Sequence, residues 1–306
     1  MMRSLLKIAV FGIQVMALLL VITAIEFTVF VSSPAARQEM GKYILKYYPE
    51  LVDGDVVMAS QEVDTRLPLM AYWRFYFLWM TNILKDWNWG YSQFSGEPLS
   101  HLWGYPLRTT LLLAVMGLLF STGIALFLVF LQRNWGESRP VRWFLQGTRF
   151  VSSIHYIILA YFVYYGLNLK NPPLIIPVLI IAVGNGVLTD TLDLISEDLK
   201  NIFSSRYYQG IRARGSNVYR HLAKPFTISL VRIMNAKFPM LLGGTFIVEY
   251  IMNIRAMGLE TIQAVLQDDH LKLLVITFLV TIFILSSNFF NRLVQQKLDP
   301  RPVIEI

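Results

Sequence analysis

The sequence contains no cysteine and is poor in charged residues. The absence of cysteine among 306 residues excludes disulfides, thiolate nucleophiles and thiolate metal sites. Charged residues make up 15% of the chain and hydrophobic residues 55%, whereas a soluble domain carries about 25% charged residues. Because lipid does not solvate charge, this composition indicates a chain that lies largely within a membrane.

The motifs of common catalytic and binding sites are also absent. The sequence has no G-x-x-x-x-G-K-[ST] phosphate loop, no H-E-x-x-H zinc motif and no G-x-S-x-G nucleophile motif, and its four histidines are scattered. We therefore expect no cofactor, no metal and no enzymatic activity in this chain. The net charge of +7 does not indicate nucleic-acid binding, because the Lys and Arg residues stand at the ends of apolar runs.

Six apolar runs are long enough, or nearly long enough, to cross a bilayer. A hydrocarbon core about 30 Å thick takes about 20 helical residues, and each run must be a helix because lipid offers its backbone no other hydrogen-bond partner. The first run follows two basic residues but is longer than a signal-peptide core, so an uncleaved anchor is expected. The runs are 5–31, 107–131, 144–165, 174–195, 228–252 and 271–293.

These runs divide the chain into four parts. An N-terminal transmembrane helix (1–31) precedes a hydrophilic segment (32–105), and a five-helix core (106–298) precedes a short tail (299–306). Within the hydrophilic segment, the aromatic stretch 67–84 predicts a helix at the membrane surface or packed on the bundle, since a seventh span would break the inside/outside count.

The positions of Lys and Arg predict the orientation. The most basic hydrophilic loop is 197–225, and placing it in the cytoplasm also puts both termini there and leaves segment 32–105 outside. The reverse orientation would strand this loop on the outer side. We therefore expect a multi-pass protein of the cytoplasmic membrane of a prokaryote.

Polar residues within the runs are candidates for a translocation path. Ionisable groups in a membrane tend to face a cavity or a partner, although they also snorkel to the interface or pair within the bundle. Asp190 and Asp193 could share a helix face, but their place near the cytoplasmic end of a run favours a solvated helix end. Gly243 and Gly244 suit close helix packing or a conformational pivot. The path or gate candidates are Arg149, His155, Asn235, Gly243, Gly244 and Glu249.

The basic loop carries a family resemblance. The stretch Tyr207-Tyr208-Gln209-Gly210-Ile211-Arg212-Ala213-Arg214-Gly215 resembles the "EAA" loop of binding-protein-dependent ABC transporter permeases, and is most similar to the peptide/nickel subfamily pattern that contains R-A-K-G. In that family the loop forms a short coupling helix that docks in a groove of the ATPase; the alternative is a basic loop that only follows the positive-inside rule. The residues to which the resemblance assigns ATPase coupling are Tyr207, Tyr208, Gly210, Arg212, Ala213, Arg214, Gly215 and His221.

Further motifs follow in family order. The matching stretches are Asp86–Ser92, Pro106 with Thr109–Leu112, Arg220–Leu222, Gly243-Gly244 with Glu249 and Gly258, and Leu298–Arg301. The chain also departs from the pattern: Arg206 stands where an acidic residue is usual, and Ser229 lies near the position of a usual proline, with Pro225 upstream. Arg255-Ala256-Met257-Gly258 replaces P-G-L-G.

The resemblance implies an all-α type I importer permease with six transmembrane helices and a cytoplasmic coupling helix between the fourth and fifth. It implies a second homologous permease, two ABC ATPase subunits that bind ATP and Mg, an extracytoplasmic solute-binding protein and surrounding lipid. Peptides are the expected solute, with nickel or metallophores and opines as alternatives. The competing classes are a secondary transporter or channel and a non-transporting sensory or resistance module.

Overall fold

The computed structural model describes residues 2–52, 67–136, 138–169, 172–214 and 218–298. The described residues form helices and short turns, with no strand among them, so the predicted all-α class is confirmed. The helices are α1 (Met2–Ser32), α2 (Pro34–Tyr47), α3 (Leu69–Asp86), α4 (Tyr105–Trp135), α5 (Arg139–Ser153), α6 (Tyr156–Tyr161, extended by a π turn over Phe162–Gly166), α7 (Ile175–Val183), α8 (Val187–Ser204), α9 (Arg206–Ala213), α10 (Val218–Ile251), α11 (Met257–Leu266) and α12 (His270–Leu298).

Three described stretches are long and apolar enough to cross a membrane: Val10–Ser32, Leu99–Trp135 and His270–Gln295. The pair α7 and α8 passes the same test together and would make a fourth span. Helix α10 has 34 residues, but it carries several charged side chains and is not among the strongly apolar stretches. The chain is thus a multi-pass membrane protein, and the full count of six spans stays a prediction.

The chain divides into two compact units, the first formed by 1–107 with 260–285 and the second by 108–259 with 286–306. In the first unit, α3 packs on α1 and α2 rather than standing apart. The hydroxyls of Tyr76 and Thr23 lie 2.8 Å apart, and the rings of Phe27 and Trp73 meet edge to face at 5.7 Å. The sequence predicted that the aromatic segment lies either at the membrane surface or packed on other helices. The structure shows the second arrangement, with α3 packed on α1 and α2.

The motif Asp86–Ser92 forms a tight loop within this first unit. Gly90 has a positive φ of 83°, and a Cβ at this position would lie 3.0 Å from the hydroxyl of Tyr43, so glycine is required. That hydroxyl accepts the backbone N–H of Tyr91 at 3.0 Å, and burial raises its pKa above the ordinary value. Buried Asp269 accepts hydrogen bonds from Ser92 and from the backbone of Gln93. The motif thus ties the loop to the segment before α12.

The second unit packs α4, α8 and α10 around an apolar core. Its buried residues are Ala125, Leu128, Leu188, Leu192, Ile195 and Ile233. Contacts between the start of α8 and the later part of α10, and between the end of α8 and the earlier part of α10, show that these two helices run antiparallel. Helix α9 lies between them in the sequence, so it occupies the tip of a helical hairpin.

Two runs predicted as continuous helices are interrupted. Run 144–165 breaks between α5 and α6, and run 174–195 bends by 57° between α7 and α8. The two breaks satisfy each other: the backbone N–H of Asn185 donates to the carbonyl of Ile154 at 2.9 Å, and that of Gly186 to the carbonyl of Ser152 at 2.6 Å. Since lipid cannot satisfy a free backbone group, breaks at membrane depth are stable only when they pair in this way.

Candidate functional site

The predicted coupling segment contains the short helix α9, which has eight residues. It begins after Ser205, whose hydroxyl oxygen accepts the backbone N–H of Tyr208 at 3.3 Å and so caps the helix. Arg206, Gly210 and Ala213 are exposed on it. Among the other predicted coupling residues, Arg214 and His221 are exposed, Gly215 lies outside the described residues, and the side chains of Tyr207 and Arg212 are not described.

One aromatic contact attaches α9 to the helix before it. The ring of Tyr208 meets the ring of Phe203 of α8 edge to face, with centroids 4.9 Å apart. On the same Phe203 ring, the guanidinium of Arg133 at the end of α4 lies 4.3 Å from the centroid, which is a cation–π contact. The pairing of Arg133 with Phe203 could not be predicted from the sequence, because the two residues are distant along the chain.

Polar contacts hold α8 and α10 together. The carboxylate of Asp198 accepts a hydrogen bond from the Ser229 hydroxyl, and Nη2 of Arg232 lies 3.1 and 3.0 Å from its two oxygens. Closer to the start of α8, Nζ of Lys237 lies 2.8 Å from a carboxylate oxygen of Asp190. The ionisable groups of α10 in this region are therefore paired within the unit, one of the alternatives open for ionisable groups in a span.

Arg149, a path candidate, is also paired. Its Nη2 lies 2.9 Å from a carboxylate oxygen of Asp193, and both side chains are more than half exposed. The sequence placed Asp190 and Asp193 near the cytoplasmic end of a run, whereas Asp190 lies in the first turn of α8, and both aspartates pair with a cation from another helix. The opposite charges on neighbouring runs could have predicted ion pairs between helices, although they do not specify which residues pair.

Asn235 lies in a polar cluster between α10 and the last part of α12. Its amide nitrogen donates to the amide oxygen of Asn288 at 2.9 Å, and its own oxygen accepts from Ser287 at 3.4 Å. Pro239 of the same helix has no N–H, which leaves the Asn235 carbonyl without its usual helical partner. Amide and hydroxyl groups therefore concentrate at this point of α10.

His155 and Gly244 meet at Tyr156. The Nδ1 atom of His155 accepts the backbone N–H of Ile157 at 3.3 Å and caps α6, and its ring lies 4.2 Å from that of Tyr156. A Cβ on Gly244 would lie 3.3 Å from the Tyr156 ring, so Gly244 allows the two helices to approach closely. At Gly243 a Cβ would meet nothing within 4 Å. Close packing thus accounts for Gly244 and not for Gly243.

The structure brings Glu249 to the start of α11. Glu249 is fully buried, its carboxylate accepts the backbone N–H of Gly258 at 2.7 Å, and Thr110 lies beside that carboxylate. The Thr110 hydroxyl oxygen in turn accepts the backbone N–H of Met257 at 3.0 Å. A Cβ on Gly258 would lie 2.3 Å from the Cα of Phe246, so only glycine fits there. Residues from three of the sequence motifs therefore build one buried polar cluster.

The candidate residues thus form three separate groups around Asn235, Tyr156 and Glu249, with Arg149 in an ion pair elsewhere. Among the described residues, no group of three or more His, Cys, Asp or Glu side chains is placed to hold a metal ion. The groups near Asn235 and Arg149 offer amide, hydroxyl and paired charged side chains. Such groups can donate and accept hydrogen bonds.

Comparison with known proteins adds a relative that covers most of the chain. The nickel import system permease protein NikB of Staphylococcus aureus strain USA300 is 22% identical over 253 residues, which span 78% of this chain and 74% of that protein. The NikB proteins of strains NCTC 8325 / PS 47 and COL match with the same identity and coverage. No protein-family model matches the sequence.

The relative is named as an importer permease, and the subfamily to which the ordered motifs point includes nickel systems. The helical multi-pass fold agrees with both. The chain is therefore similar to a nickel import permease over most of its length, and its ordered motifs resemble those of the dipeptide/oligopeptide/nickel family of binding-protein-dependent ABC transporter permeases.

Proposed function

We propose that this permease forms half of a translocation path in an importer and transmits the movement of ATPase subunits through α9. The observation that carries the proposal is the position of α9: an exposed, capped helix lies at the tip of the hairpin formed by α8 and α10. A soluble ATPase can move membrane helices only through a structured element that projects from them. Basic, exposed side chains on such an element suit an acidic groove on a partner.

The assembly proposed around this chain has a second homologous permease, two ATPase subunits and an extracytoplasmic solute-binding protein. The distribution of Lys and Arg supports a cytoplasmic position for α9 and for both termini. ATP and Mg would bind to the ATPase subunits. In this assembly, the permease provides the path and the mechanical link, and segment 32–105 provides an outer surface for the solute-binding protein.

We propose a nickel complex as the solute, with peptides as the second candidate. The NikB relative is a nickel import permease, which favours nickel. A nickel ion that enters inside an organic chelator has its coordination positions filled, so its path needs hydrogen-bonding groups rather than metal ligands. The amide and hydroxyl groups around Asn235 suit a chelate, and they suit a peptide backbone equally well.

The coupling role is tested by replacing the two arginines of the stretch 207–215. Arg212→Ala with Arg214→Ala should lower the recovery of the ATPase subunits with the purified permease and lower solute uptake. Lys200→Ala is the matched control, because Lys200 is an exposed cation on α8, outside the stretch 207–215 that resembles the family loop. If the double variant retains both normal uptake and normal ATPase recovery, the coupling assignment is wrong.

The solute is tested by uptake in cells that lack this permease and in cells that have it restored. Radioactive nickel supplied with excess histidine should accumulate only in the restored cells, and an unlabelled tripeptide mixture should not compete. Competition by the tripeptides, together with uptake of a labelled tripeptide, would favour the peptide alternative. Uptake of neither probe would contradict both solute assignments.

A further inference from the structure

Helices α8 and α10 form a hairpin that α9 joins at its tip. We propose that Asp198 is a positioning residue that fixes this hairpin, so that a displacement of α9 moves both helices together. The proposal rests on the coupling role proposed for α9. It assigns to Asp198 a role that none of the sequence motifs contains.

The contacts of Asp198 are directional and partly shielded from solvent. Its side chain is 19% exposed, and its carboxylate binds both the Ser229 hydroxyl and the Arg232 guanidinium, two groups on the same side of α10. Hydrogen bonds with a charged partner are stronger than neutral ones, and partial burial reduces screening by salt. Asp198 therefore holds a defined register between the two helices.

Apolar packing alone would not fix this register. The core side chains between the helices include Leu192, Ile195 and Ile233, and hydrophobic contact has no preferred direction along a helix. The ion pair of Asp190 and Lys237 supplies a second directional contact. It is separated from Asp198 by eight residues, or about 12 Å along α8. Because these two contacts lie at different positions along α8, they oppose both translation and rotation of α8 relative to α10.

Asp198 is nearer to α9 than the ion pair of Asp190 and Lys237 is. Helix α9 contacts the end of α8, through Phe203 and Tyr208, and also contacts α10. A force on α9 therefore reaches both helices. The Asp198 contacts hold the two helices in register as they respond to it.

The Ser229 hydroxyl is a second partner of Asp198 on α10. Ser229 is buried, and its hydroxyl donates to the Asp198 carboxylate. This hydrogen bond joins α8 to α10 in addition to the ion pair with Arg232.

The test measures the distance between the two helices in the assembled transporter. The chain has no cysteine, so Lys200→Cys on α8 and Lys224→Cys on α10 introduce two unique spin-label sites, both exposed; the partner subunits are used in cysteine-free form. Electron–electron double resonance is recorded without nucleotide and with vanadate-trapped ADP. Without further substitution, we expect one narrow distance distribution that is the same in both states.

The variants are Asp198→Asn, Ser229→Ala and Arg232→Gln in this labelled background. In Asp198→Asn the distribution should broaden or differ between the two states, and the solute transported per ATP hydrolysed should fall at least about threefold, as expected for loss of a partly shielded ion pair. The other two should change both measurements in the same direction by less. The matched control is Glu197→Gln, since Glu197 is the neighbouring, exposed carboxylate, and it should change neither measurement.

Transport is measured with radioactive nickel and histidine, or with a labelled tripeptide if the unaltered complex transports that probe instead. An unchanged distribution and transport ratio in Asp198→Asn would overturn the proposal. If Asp198→Asn does not assemble, the same two measurements on Ser229→Ala and Arg232→Gln test the proposal. An unchanged distance distribution and transport ratio in these two variants would show that Asp198 acts in folding alone. Failure of all three variants to assemble would show the same. A failure of the coupling role proposed for α9 would be seen in a different experiment. It would appear as normal ATPase recovery and normal uptake in the double variant of Arg212 and Arg214.

Discussion

The carboxylate of Glu249 accepts the backbone N–H of Gly258 at 2.7 Å, although the two residues lie on either side of the turn between α10 and α11. Glu249 is fully buried, and the hydrogen bond satisfies an N–H at the start of α11 that has no partner within the helix. The spacing of these two residues in the family-like motifs thus has a physical basis in helix capping.

Glu249→Ala should destabilise the permease, whereas Glu249→Gln should be close to the unaltered protein. The glutamine retains an oxygen that accepts the Gly258 N–H, but alanine leaves a buried N–H unpaired, which costs about 1–3 kcal/mol. The measurement is the midpoint of thermal unfolding in detergent. Equal midpoints for the two variants would show that the carboxylate does not cap α11.

Gly258→Ala should lower the yield of folded protein in the membrane. A Cβ at this position would lie 2.3 Å from both the Cα and the carbonyl oxygen of Phe246, and backbone atoms of a helix cannot move aside at low cost. Gly243→Ala is the matched control for folding, because a Cβ there meets nothing within 4 Å. Similar yields of the two variants, measured by fluorescence-detected size exclusion, would contradict this packing.

Ser205→Ala should weaken ATPase recovery by loosening the start of α9. The Ser205 hydroxyl oxygen caps the helix through the N–H of Tyr208, and loss of such a cap costs about 1 kcal/mol. Ser204→Ala is the control, since the Ser204 hydroxyl donates only to the carbonyl of Asn201 in its own helix. The amount of ATPase that co-purifies with each variant is compared, and we expect a lower value for Ser205→Ala alone.

Ser152→Ala should destabilise the paired helix breaks. The Ser152 hydroxyl donates to the carbonyl of Val183 at 2.8 Å and accepts the N–H of Thr189 at 3.3 Å. Its removal leaves two partly buried backbone groups unpaired, at a cost of about 1–3 kcal/mol. The exposed Ser153 bonds only within its own helix, so Ser153→Ala should unfold at the unaltered temperature, and an equal midpoint for Ser152→Ala would count against the pairing.

The parts of the fold that depend on local composition could be predicted from the sequence. Helices α1, α4 and α12 follow from long apolar runs, since a continuous apolar stretch in lipid has no stable form other than a helix. The aromatic run that forms α3 also predicts an amphipathic helix, and its buried face packs against α1 and α2.

The breaks in runs 144–165 and 174–195 could not be located from apolar content. They depend on backbone hydrogen bonds between residues about 30 positions apart, such as Asn185 with Ile154. The stretch Gly184-Asn185-Gly186 was a local signal for the second break, because Asn and Gly adopt positive φ readily. No comparable signal marks the first break.

In the candidate site, too, features of a short stretch of sequence could be predicted, and contacts between distant residues could not. The loop motif predicts a short helix at α9, whereas Glu249 was a path candidate and its contact with Gly258 was not predicted. The contacts of Asp198 with Ser229 and Arg232 join residues more than 30 positions apart on two helices. Their geometry depends on the rotation of α8 relative to α10, which the sequence pattern does not specify.

The coupling role of α9 is tested most directly by cysteine crosslinking in the assembled transporter. Ala213→Cys places a thiol on an exposed residue at the end of α9, in a chain without other cysteines. We expect a short bifunctional reagent to join this thiol to single cysteines placed along the ATPase groove, and ATP with vanadate to change the yield. A thiol at this position that is labelled only from the extracytoplasmic side, or that joins none of the ATPase positions, would contradict the account.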